Sequence, residues 1–145
     1  MPPQIHIDTH FLIKNIRGLR HIEKNRITWN EFGEAVVIKK ALIHPQTSRS
    51  IRDKSQFAKP LTTSIWQRAK KLVHAVFILK YPEHDWLRKR LNNLSNPPTP
   101  LLLSTISLWL AGAMSITISV TRSMVAAMLY AVGKSSGDWE ILVSA

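Results

Sequence analysis

Cysteine is absent from this 145-residue chain. That excludes a disulfide scaffold, a Cys-based zinc site and a thiol nucleophile, and it leaves the redox compartment open. Carboxylates are also scarce, with 9 Asp and Glu against 20 Lys and Arg. The chain has no Gly-x-Ser-x-Gly elbow and neither of the Gly-rich loops that cradle phosphates. Gly133-Lys134-Ser135 is a bare tripeptide that reads as a helix end. His6, Asp8 and His10 alone have metal-ligand character. They would share one side of a strand, and His6 and His10 one face of a helix. No second ligand cluster accompanies them, so they read as polar positions of a short N-terminal segment. No enzyme, no cofactor and no metal site is expected. The N-terminus lacks a basic stretch followed by an apolar one, so no signal peptide is expected either.

What the chain does have is a split. Residues 1–100 carry 18 Lys and Arg against 7 Asp and Glu, whereas residues 101–145 balance two against two. A basic half favours anionic partners, either nucleic acid or the anionic leaflet of a membrane.

The basic half reads as helical. Thr28 with Glu31 three residues on forms a capping box, and Phe32, Val36 and Ile43 recur at helical spacing until Pro45. Residues 45–60 read as a polar linker carrying Arg49, Arg52, Lys54 and Lys59. The break at His44-Pro45 also gives residues 32–52 the outline of a helix-turn-helix, without its usual turn glycine. Arg49 and Arg52 would then meet phosphates. A second helix is predicted over 62–79, with Ile65, Leu72, Val76 and Leu79 inward and Arg68, Lys70 and Lys71 as an outer basic cluster. A third, over 83–94, puts Trp86, Leu87, Leu91 and Leu94 on one side and carries Arg88, Lys89 and Arg90. Trp66 and Trp86 lie among basic residues, as stacking platforms would, but their apolar faces predict core packing.

Residues 97–100 form a Pro-rich break. From Thr99 to Thr121 there is no charged side chain. About 20 apolar residues suffice for a helix to cross roughly 30 Å of hydrocarbon. Ser104, Ala111, Ser115 and Ser119 would cluster on one side as a small-residue packing stripe. Against this, residues 115–121 alternate polar and apolar, with β-branched residues throughout, as a strand would. Residues 123–132 resume helical composition, and Gly133 reads as a C-terminal cap.

The expected fold is mainly α: a basic helical region over 1–96, the break, an apolar and membrane-spanning helix or bent helix pair over 101–133, and a short tail over 134–145. The positive-inside rule places the N-terminal region in the cytoplasm, with Tyr130 and Trp139 near the opposite interface and Arg122 snorkelling. The function expected is that of a membrane-anchored interaction protein. Its basic residues Arg49, Arg52, Arg68, Lys70, Lys71, Arg88, Lys89 and Arg90 would engage anionic headgroups, and its apolar helix a protein partner or a second copy. The alternative is a cytoplasmic, all-helical protein that binds nucleic acid through the same residues.

Overall fold

The computed structural model describes residues 6–43, 55–79, 81–92 and 98–144, with side chains left undescribed at 40–43, 55–64 and 92. Among these residues the chain is mainly helical and has no strand. Seven α-helices follow in order: α1 Thr9–Asn15, α2 Arg20–Glu23, α3 Trp29–Ile43, α4 Ser55–His74, α5 Asp85–Asn92, α6 Thr99–Met114 and α7 Ile118–Lys134. A π-helical turn, Ala75–Leu79, extends α4, and 3₁₀ turns occupy Pro82–His84 and Trp139–Leu142.

Local signals explain several boundaries. Asp8 caps α1, its carboxylate accepting from the Phe11 N–H at 3.0 Å. The Thr28–Glu31 capping box forms in both directions. The Glu31 N–H donates to Thr28 Oγ1 at 3.1 Å, and the Thr28 N–H to Glu31 Oε1 at 3.3 Å.

The uncharged run does not form one helix. Ser115 turns into the left-handed region at φ 56°, and Thr117 is extended, so α6 ends at 16 residues and α7 starts afresh with 17. The Ile116 N–H reaches back to the Ala111 carbonyl at 3.2 Å and satisfies part of the α6 terminus. The alternating stretch at 115–121 is therefore a turn followed by the first residues of a helix. The two helices fold against each other, and Thr121 Oγ1 pins them by donating to the Ser107 carbonyl at 2.9 Å. No helix among the described residues is long and apolar enough to cross a membrane.

The small-residue stripe comes apart for the same reason. Ser104 and Ala111 lie on α6, Ser115 in the turn and Ser119 on α7, and all but the half-buried Ala111 are exposed.

α7 forms the centre of the molecule. Met124 through Val132 are buried without interruption. A helix apolar on every side needs neighbours on every side, and α1, α3, α4, α6 and the last 3₁₀ turn all pack on it. Gly133 serves this packing rather than a cap. A Cβ there would lie 2.7 Å from Thr9 Cγ2, and α7 runs on to Lys134. The Asp8 N–H donates to Thr99 Oγ1 at 2.7 Å and ties the start of α1 to the start of α6. Tyr130 and Trp139, expected at a lipid interface, are both buried. Trp139 stacks on Phe77 with ring centroids 4.0 Å apart, and beside it His74 Nε2 meets Glu140 Oε2 at 3.2 Å.

The buried side of α4 differs in part from the predicted one. Val76 is buried as expected, with Trp66 and Ala69, which lie near the predicted face; Lys70 and Val73 also face inward, whereas Ile65 and Leu72 are half-buried and Leu79 is exposed. The two helices α3 and α4 cross closely here: a Cβ on Gly33 of α3 would lie 2.3 Å from the Trp66 ring. Glycine there lets the indole lie directly against the α3 backbone.

Candidate functional site

Between α1 and α3 the chain reads Lys14-Asn15-Ile16-Arg17-Gly18-Leu19-Arg20-His21-Ile22-Glu23-Lys24-Asn25-Arg26. Ile16, Leu19 and Ile22 recur every third residue, and all three are buried in the shared core. That spacing turns Lys14, Arg17, Arg20, His21, Lys24 and Arg26 outward, and all six are exposed. Gly18, at φ 90°, makes the bend between α1 and α2 in a conformation that costs a side-chain-bearing residue more.

These side chains line a trough with two halves. One, of about 370 Å³, is bounded by Lys14, Arg17, Arg20, His21, Lys24 and Arg26 with Ile13, Ile16 and Gly18. The other, of about 670 Å³, opens between the same turn, α3 and the start of α7. Phe32, Ala35, Val36 and Lys39 contribute from α3, and Ser119, Arg122 and Ser123 from α7. The halves share Ile16, Arg17, Gly18 and His21, so they are continuous. Together they gather seven of the chain's 20 Lys and Arg, plus His21, and no carboxylate lines either half. A low-dielectric wall with charges of one sign focuses the field into the concavity.

The basic residues singled out from the sequence fare differently. Arg68, Lys71, Lys89 and Arg90 are exposed but do not line the trough. Arg49 and Arg52, with the helix-turn-helix they would belong to, lie outside the described residues.

Lys70 is not a surface residue at all. It is 4% exposed, donates to Asn30 Oδ1 at 2.6 Å, and holds its ammonium 5.4 and 5.3 Å from the Trp29 and Trp66 ring centres. Asn30 Oδ1 also accepts from Trp66 Nε1 at 3.0 Å. Burial pulls the Lys70 ammonium below its usual 10.5, and the charge of Glu34 opposes that shift. The residue therefore ties α3 to α4 and offers nothing to a partner.

Arg88 is likewise internal. It donates to the carbonyls of Val76 and Tyr81, each at 2.8 Å, and pairs with Asp85. A π-helical turn leaves carbonyls without their ordinary partners, and this guanidinium satisfies one of them. Trp86, expected in the core, is 54% exposed, while Leu87 and Leu91 take the buried side of α5.

Arg122, awkward for a spanning helix, lines the larger half of the trough, as does Lys39 of α3. At the N-terminus, Asp8 is engaged as a helix cap, and no group of three metal-ligating side chains occurs among the described residues.

The cluster over residues 14–26 is a candidate feature that reading the sequence missed. Its signal was there: apolar residues at every third position, with Lys or Arg filling the gaps. It is short, and only the Gly18 bend brings Lys39 and Arg122 beside it.

No family model matches the chain, and no curated protein or solved structure is similar to it.

Proposed function

We propose that this protein binds nucleic acid through the trough formed by α1, α2, α3 and the start of α7. One observation carries the reading: seven Lys and Arg side chains and His21 converge on one continuous concavity that no carboxylate lines. Phosphodiester backbones bind such surfaces by releasing condensed counterions, without requiring sequence readout. The concave shape favours a strand over a bilayer, because a strand can lie between the walls and a flat membrane touches only the rims. The burial of Met124–Val132 supports the same reading, since the most apolar segment is consumed in the core.

The test is fluorescence anisotropy on labelled oligonucleotides across a salt series. Binding should weaken steeply, with a log–log slope of about −4 if some five phosphates are neutralised. The double variant Arg17→Glu/Arg20→Glu should lose at least about tenfold at fixed salt while keeping its melting temperature. Absent or salt-insensitive binding overturns the proposal. Tight pelleting with anionic vesicles, without nucleic-acid binding, would instead favour the membrane-anchored reading.

A further inference from the structure

The two halves of the trough differ in chemistry, and that difference narrows the ligand. The smaller half has five Lys and Arg and His21 among the nine residues that line it, and suits a phosphodiester chain. The larger half has an apolar floor, Ile16, Phe32 and Val36, beneath a cationic rim. Its volume of about 670 Å³ lies within the range of small-molecule pockets. An apolar floor gains nothing from a phosphate, which must give up hydration to approach it. A planar, weakly polar group gains by covering it.

Gly18 marks the junction. A Cβ there would lie 3.2 Å from Phe32 Cε2, so the backbone passes directly against the ring at the place where Arg17 and His21 serve both halves. A ligand crossing this junction meets cations on one side and an apolar surface on the other. A nucleotide has that polarity, with its phosphate charged and its base offering a π-face.

Resting on the reading of the trough as a nucleic-acid site, we infer that its larger half receives one unstacked base, and hence that the ligand is single-stranded. In a duplex the π-faces are stacked inside the helix, and only phosphates, sugars and base edges are presented. In a single strand a base can turn out and lie on the floor while its phosphate meets Arg17 at the junction.

The experiment compares a thymidine oligomer, its abasic counterpart of equal length and a duplex, all at one salt concentration and read by anisotropy. The thymidine oligomer should bind about tenfold tighter than the abasic one, the lower end of what one stacked base provides. The pocket-filling variants Ala35→Leu and Ser123→Leu sit on exposed or half-buried helix positions and leave every charge in place. Each should bring the thymidine oligomer down to about the level of the abasic one. Equal binding of the thymidine and abasic oligomers, or a preference for duplex, overturns the base pocket while the cationic trough stands. Failure of all three to bind at low salt overturns both.

Discussion

Two stretches of this chain behave in opposite ways. Residues 14–26 are short, strongly basic and broken by a bend, and they supply most of a surface concavity. Residues 124–132 are uncharged and regular, and every one of them is buried. The first stretch contributes three of its thirteen residues, Ile16, Leu19 and Ile22, to the core and otherwise largely faces water. The second contributes almost everything it has. Stability and the proposed binding would therefore rest largely on different residues, and single substitutions can separate them.

The largest effect expected is in the core. Met128 is fully buried at the middle of α7. Met128→Ala should cost about 2–5 kcal/mol in urea unfolding and leave oligonucleotide affinity unchanged wherever the protein remains folded. A cost below about 1 kcal/mol would place α7 outside the core.

Gly33→Ala comes next. In an exposed helix alanine would be preferred over glycine, but here the new methyl group would meet Trp66 at 2.3 Å. We expect a loss of about 1–3 kcal/mol, and Gly33→Ala paired with Trp66→Leu should recover part of it. A stabilising Gly33→Ala would break the α3–α4 crossing described above.

Lys70 adds a pH dependence with a definite sign. Its ammonium titrates below 10.5 in the folded chain, so the folded state sheds its proton first. Stability should then rise with pH through the window between that lowered value and 10.5. Tyr130, raised above its usual 10.0 by burial and secondly by Glu23, acts in the other direction and only above pH 10. Urea melts taken up to pH 10 should show the rise in the wild type and lack it in Lys70→Met.

Ser107 presents a smaller case. Its hydroxyl is buried and finds no hydrogen-bond partner, although its carbonyl accepts from Thr121. Ser107→Ala should raise stability by about 1 kcal/mol, measurable as a shift in unfolding midpoint. At the far end of the scale stand Arg20→Ala and Lys24→Ala. Each should move stability by less than about 0.5 kcal/mol, yet flatten the salt dependence of oligonucleotide binding by about one contact.

Much of the fold was legible in the chain. The Thr28–Glu31 box located the start of α3, and the change from Pro-rich break to apolar run located α6. Less of the candidate site was. Lys70 and Arg88 looked like surface cations because charge is normally solvated. Each is instead engaged within the chain, one on Asn30 between two indoles, the other on the Val76 carbonyl of a π-helical turn and the Tyr81 carbonyl beyond it. Trp86 looked like a core residue because its neighbours are apolar, and it lies on the outer side of α5. Hydrophobic periodicity identifies a helix face only coarsely, and on α4 it left Lys70 on the outside although that side chain is buried.

By itself the sequence determined the helical character of the chain, its excess of positive charge and the existence of a segment that must leave water. Those follow from local propensity and composition, which act whatever the chain packs against. Only the tertiary structure decided where that segment went. A left-handed Ser115 divides it into two helices, neither long and apolar enough to cross a membrane, and the buried faces of α1, α3, α4 and α6 together cover α7. The trough was decided the same way, because its walls come from residues about a hundred positions apart and no local rule brings Arg17 to Arg122.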